Sequence, residues 1–351
     1  MRPLILIGIL IVSVFAAEAK LIMKPYLQAI TDSSVIVLAE TDSPAAPKAV
    51  CGNKTFAALS HKKTTHGTYV HRIKIDGLAS GTKQSYRIIH ERDSSRQAVF
   101  TTTGNMPYTF AVMGDCRSFT KPHAKVATKI LAKAPVFSLY TGDLCNDTKY
   151  ESWKKEFFID EQLELAARVP FFNAVGNHED ISDNTEAFSE PSGNGGHYYY
   201  SFDAGNTHFI VLSTESGLGP GSAQYKFAKK DLAESDAEFK VAVFHIPAYS
   251  AGGHGENKVM KKFTEEILEP GGIDIVFNGH SHFYQRNYVN GIYHIVCAGA
   301  GAPLYTPKKA TYTQKSVKSH HYLMCEVSAG KLTINVYDLN DKLIDNFEIT
   351  K

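Results

Sequence analysis

The sequence predicts two domains, an N-terminal all-β sandwich and a layered α/β domain. Three observations carry that reading. Residues 24–103 hold short β-prone runs broken by turn residues, with no helical periodicity of useful length. After "GNMP" at 104–107, apolar strand-like runs alternate with helical stretches, the pattern of a layered α/β domain. Several of those runs end on Asp, Asn or His, at the strand ends where open α/β sheets place ligands.

Taken in order, residues 1–19, "MRPLILIGILIVSVFAAEA", have a basic start, an apolar run from Leu4 to Phe15 and Ala17-Glu18-Ala19 as a small-x-small cleavage pattern. This is expected to be a signal peptide for export to periplasm, cell surface or medium, and no later stretch is long and apolar enough to span a membrane. Residues 20–104 are expected to form the sandwich, from the runs 33–41, 65–75, 84–91 and 97–103 punctuated by Pro44, Pro47, Gly52, Gly77 and Gly81. The stretch "IDGLASGTKQSYRI" resembles the loop-and-tyrosine segment of fibronectin type III domains, with Tyr86 near the tyrosine-corner position or a plain core tyrosine. Residues 105–351 form the second domain. Strands are expected at 108–115, 136–143, 169–178, 196–214, 239–247 and 273–282, helices at 121–134, 150–167, 222–235 and 257–269, and strands in the tail.

Of 351 residues, 43% are apolar and 21% charged, with a formal net charge of +1, an ordinary globular balance. Lys62-Lys63 and Lys308-Lys309 are short basic pairs, and no nucleic-acid-binding footprint emerges. Five cysteines leave at least one unpaired in an exported chain. No CxxC or Cys/His finger spacing appears, so mostly buried free thiols are expected.

The strand endings carry the chemistry. They supply Asp115, Asp143, Asn177, His178, His245, His280 and His282. One such ending is commonly a turn or helix cap, whereas five converging point to a site. Oxygen and imidazole donors suit Zn, Mn or Fe better than soft metals. Two carboxylates, one amide and any three of the four imidazoles already exceed one four-coordinate ion. They match two divalent metal ions sharing a bridging carboxylate, a pair that can clamp a phosphoryl group. In an extended segment His280 and His282, two apart, would face the same way.

The blocks "GDCR", "GDLCN", "GNHE", "FHIP" and "GHSHFYQR", in that order, resemble the five motif blocks of the metallophosphoesterases. The last block and "KPYLQ" near the mature start most resemble the purple acid phosphatases. The resemblance implies a four-layer αββα domain. It also implies that Asp143 bridges the metals, that Asp115 and His282 bind the first, and that Asn177, His245 and His280 bind the second. It places His178 and His254 against the phosphoryl group or leaving group, His254 being otherwise a surface-loop histidine. Glu179 and Arg286 would brace the ligands, and His123, His197 and His294 would be structural. The family's tyrosine three residues after the bridging Asp is Asn146 here. Arg117 stands where other members carry a histidine. Asn146 either donates its amide oxygen to the first metal or caps a turn. Without a phenolate ligand, a colourless enzyme holding divalent ions is expected.

The expected function is hydrolysis of a small phosphate ester, most readily a monoester, by a metal-bound hydroxide, with His178 and His254 serving the leaving group. Two alternatives stand beside it. One is a phosphodiesterase acting on nucleotides or lipid head groups. The other is a non-catalytic exported binding protein with a residual metal site.

Overall fold

Side-chain alternation along the strands builds a four-layer stack. In the strand Tyr108–Met113, Phe110 and Val112 point to one face, Ala111 and Met113 to the other, as the two-residue period of a strand requires. Phe110 meets Phe209 and Phe277 of the facing sheet edge-on, with ring centres 5.4 and 6.4 Å apart. Ala111 and Met113 instead pack with Val126, Ala127 and Ile130 of the helix Thr120–Lys133. On the far side, Ile210, Ala242, Phe244 and Val276 of the second sheet cover Ala228, Leu232, Met260 and Phe263 of the helices Ala223–Glu234 and Lys258–Phe263. The order is helix, sheet, sheet, helix. This computed structural model describes residues 20–104, 106–180, 182–190, 194–195 and 198–351. The leader expected at 1–19 and His197 lie outside the described residues.

Parallel strands dominate where the sheets carry the site. In the first sheet Tyr108–Met113, Phe137–Tyr140 and Phe171–Asn173 are parallel neighbours. In the second, Thr207–Val211, Phe239–Phe244, Ile275–Asn278 and Ile292–Cys297 are parallel neighbours. The tail adds His321–Ser328, Lys331–Asp338 and Leu343–Thr350 to the first sheet, all antiparallel.

Residues 20–104 contribute strands and no helix. The short strand Tyr26–Gln28 pairs antiparallel with Val35–Thr41 and parallel with Phe171–Asn173, so the first sheet runs into the N-terminal strands without a break. Arg72 is buried at this junction and donates Nη2 to the carbonyls of Glu186, Ala187 and Ser189 at 2.7, 3.3 and 3.2 Å. Its Nε pairs with Glu190. Tyr86 does not close a tyrosine corner. Its hydroxyl donates to Ala167 O at 3.0 Å, across the junction.

Two expected helices are broken. The stretch expected over 150–167 becomes Tyr150–Ser152, a wide turn Trp153–Phe157 closed by Phe158 N donating to Trp153 O at 2.8 Å, and Asp160–Ala166. The extra residue in that turn lets Trp153, Phe157 and Phe158 all bury together. The helix expected over 257–269 widens likewise at Thr264–Leu268. The strands Lys48–Cys51 and Lys54–Lys63 had no clear sequence signal, the first because it is only four residues long and the second because most of its residues are exposed.

Candidate metal centre

The strands stop short of the candidate ligands, which sit on the loops just beyond. The strand ends are Met113, Tyr140, Asn173, Phe244 and Asn278, and the ligands follow at Asp115, Asp143, Asn177, His245 and His280. Asp115, Asp143 and His280 have φ of 56°, 55° and 69°. A left-handed backbone at non-glycine residues is costly and gathers at functional sites. It turns each side chain back over the sheet ends, which a continued strand cannot do. The segment bearing His280 and His282 is therefore kinked rather than extended, with Ser281 N donating to Gly279 O at 2.8 Å and Phe283 N to Ser281 O at 2.7 Å. Both imidazoles still face the cleft.

Asp115, Asp143 and His282 form one buried group whose ligand atoms all lie within 4.8 Å of one another. His282 Nε2 is 3.3 Å from Asp115 Oδ1. A second group gathers on the other side of Asp143. His245 Nε2 is 3.2 Å from Asp143 Oδ1, 3.1 Å from Asn177 Oδ1 and 3.3 Å from His280 Nδ1. The outer ring nitrogens are already engaged: His245 Nδ1 lies 2.8 Å from Thr141 O and His282 Nδ1 2.8 Å from Pro303 O. Backbone acceptors at those positions orient both rings and turn Nε2 toward the carboxylates, the arrangement of metal-ligating histidines. This donor set fits divalent metal ions.

Burial and close charges shift several of these groups. Asp143 is held well below the usual carboxylate range. Burial would raise it, but His245, His178 and Arg117 beside it prevail. Burial would lower His245, yet Asp143 drives it up to about 10. His280 is pushed down to about 3, by burial first and then by His245 and His254. Glu179 rises to about 8 through burial and the nearby Asp143. It accepts from Asp143 N at 3.0 Å, Cys145 N at 3.3 Å and Gly176 N at 2.8 Å, and from Leu144 N. It thus braces the loop that carries Asp143. Arg286 does no such work, since its contacts go to Asp345, Gln314 and Phe347.

His178 and His254 stand at the open side. His178 Nδ1 lies 2.8 Å from Asn146 O, and its Nε2 is 3.8 Å from Asp143 Oδ2. The His254 ring is exposed, centred 4.1 Å from that of His280, with Nε2 3.4 Å from the Tyr305 hydroxyl. Asn146 is held from two sides. Its Oδ1 accepts from Arg117 Nη1 at 3.0 Å and Ser118 Oγ at 3.1 Å, and its Nδ2 donates to Glu156 Oε2 at 2.8 Å. His123 and His294 are buried away from the cleft. All five cysteines are free and buried. Sequence reasoning missed Glu156 and Tyr305. Glu156 lies in an unremarkable helical stretch, and the ring of Tyr305 stacks on His282 at 4.4 Å from a loop without a motif.

A family model of the calcineurin-like phosphoesterases matches residues 108–284, and the chain belongs to that family. Two Arabidopsis thaliana proteins are similar in sequence. Purple acid phosphatase 15 is 30% identical over 62% of this chain and 49% of its own. Purple acid phosphatase 23 is 27% identical over 67% of this chain and 61% of its own. The chain thus spans about half of the first of these relatives and somewhat more of the second. Among solved structures, purple acid phosphatase PPD1 from yellow lupin seeds superposes with a TM-score of 0.80 at 18% identity, covering 93% of this chain and 74% of that one. Its fold is shared from the N-terminal strands through the αββα layers. No helix among the described residues is long and apolar enough to cross a membrane.

Proposed function

We propose that the chain is a metal-dependent phosphoric ester hydrolase acting most readily on small phosphomonoesters. One observation carries the reading. Asp115, Asp143, Asn177, His245, His280 and His282 come from five separate loops to one cleft, with Asp115, Asp143, His245 and His282 buried and Asn177 exposed at its edge. Asp115, Asp143 and His282 make a first ion position, and Asp143, Asn177, His245 and His280 a second. When bound, divalent ions such as Zn, Mn or Fe supply Lewis-acid polarisation of the phosphoryl group and acidify water.

The protein's own groups do the rest. His178, pinned through Nδ1 by Asn146 O, presents Nε2 to hold a proton for the departing oxygen. His254, beside His280, presents its ring to the outer phosphoryl oxygens. Residues 20–104 form a β-sandwich domain that joins the first sheet through Tyr26–Gln28. Its Thr65 bonds Asn184, which in turn holds Thr148 O at 2.8 Å on the bridging loop. The leader at 1–19 directs the chain to export.

The test strips the purified protein of metal, restores Zn, Mn or Fe, and compares an aryl phosphomonoester with its matching diester. Faster monoester hydrolysis that depends on added ion is expected. Faster diester hydrolysis would favour the phosphodiesterase reading. Bound ions without hydrolysis of either ester would make this a binding protein.

A further inference from the structure

Arg117 reaches into the group that would hold the first ion. Its Nε is 3.2 Å from Asp143 Oδ2, its Nη1 donates to Asn146 Oδ1 at 3.0 Å, and its Nη2 is 3.3 Å from His282 Nε2. Asp143 and His282 are two of the three residues of the first position. The Arg117 side chain is only 13% exposed, so the guanidinium is packed into the cleft rather than resting on its rim. Among the described residues, no lysine or arginine bonds Asn177, His245 or His280. The two halves of the centre are therefore unequal before any ion arrives.

The chemistry explains the arrangement. Asp115 and Asp143 are buried carboxylates at close quarters and need a compensating charge. A guanidinium supplies one, with donors set in a planar fork that meets a carboxylate and an amide together. A divalent ion would need the same lone pairs of Asp143 and His282. It would also stand a few ångströms from a fixed positive charge, in a site where water screens little. Ion and guanidinium exclude each other.

We propose that Arg117 is a competing cation built into the first ion position. An ion enters there only as the guanidinium swings out, and that movement frees Asn146 Oδ1 to become a fourth donor beside Asp115, Asp143 and His282. This rests on the two-position centre proposed above. It makes the two ions unequal, one held tightly at Asp143, Asn177, His245 and His280, the other weakly and exchangeably.

Titration of the metal-free protein with Mn(II) or Zn(II) by calorimetry, with ions per chain counted after desalting, tests this. The wild type should keep one ion through desalting and bind the next at least 100-fold more weakly. Arg117→Ala and the bulk-preserving Arg117→Met should keep two, with the weaker dissociation constant at least ten-fold lower. Adding His282→Ala to either should return the count to one and so locate the gained ion. Two ions of comparable affinity in the wild type would overturn the proposal and leave the metal-centre reading intact, whether or not the variants fold. So would a cooperatively folded Arg117 variant that still keeps one ion. No ion in any of the proteins would overturn the metal-centre reading itself, and the proposal with it.

Discussion

His178 and Glu179 are neighbours in sequence with opposite duties, and mutation separates them. His178 touches the cleft through Nε2, its ring is held at Nδ1 by the backbone oxygen of Asn146, and its backbone N–H donates to Asp143 Oδ1 at 3.2 Å. Its replacement by alanine removes a proton-bearing group and no ion donor. His178→Ala should therefore keep its ions while kcat falls by about 100-fold or more, the scale of a lost general acid. Full turnover in that variant would end the assignment. Glu179 is wholly buried and accepts from four backbone N–H groups on the loop that carries Asp143 and on Gly176. Glu179→Ala would strand those donors in a place without water. A loss of about 3 kcal/mol is expected, read as a lower urea midpoint, together with weaker ion binding as Asp143 loses its support.

At the scale of elements, the centre depends on how strands end. Gly279 precedes His280, and a Cβ there would stand 2.6 Å from Asp115 Oδ2 and 2.7 Å from Thr141 O. Such approaches force the Asp115 and His280 loops apart. Gly279→Ala should leave the secondary structure intact by circular dichroism and raise the ion dissociation constants at least ten-fold. An unchanged ion titration would show that the loops have slack. The same strand ends mark how far the sequence could be read. Apolar runs closing on Asp, Asn or His were visible, and the residues they named do gather at one cleft. The left-handed turns at Asp115, Asp143 and His280 were not, because nothing in "MGD" or "NGH" distinguishes a strand's last residue from a loop two residues further on. Helices showed a similar limit. Periodicity located 150–167, but the widened turn at Trp153–Phe157 answers to three aromatic rings meeting Phe188 and Phe171, a tertiary demand with no local signature. Arg117 stands out in the sequence by its type and place, yet its hold on Asp143, Asn146 and His282 is a tertiary contact with no local signature.

For the whole molecule, the junction at Tyr26–Gln28 was equally hidden, since three residues pairing with a strand about 145 positions away leave no pattern. What spreads through both sheets is a set of buried histidines, and these set the response to pH. Burial pushes His71 down to about 4, helped by His61 and His90, His321 to about 4, and His294 to about 3. In the unfolded chain each would titrate near 6.5. Between 6.5 and about 4 the unfolded chain takes up protons that the folded protein refuses, so stability is fullest above 6.5 and falls as pH drops through that window. His208 runs the other way. Burial would lower its pKa, but Asp231 and Asp203, 2.8 and 2.7 Å away, raise it, so its contribution is complete below 6.5 and fades only as pH rises. It does not compensate for the loss in acid. His294 offers the cleanest test, because neither ring nitrogen has a partner among the described residues and its edge-on neighbour is Tyr249. His294→Leu exchanges an unsatisfied polar ring for an apolar group and should be at least as stable as the wild type at pH 7.5. Denaturation midpoints at pH 7.5, 6.5, 5.5 and 4.5 should fall less steeply in the variant. Parallel slopes would mean that His294 takes a proton without penalty. A shallower slope would show that burying the neutral ring of His294 carries part of the fold's sensitivity to acid.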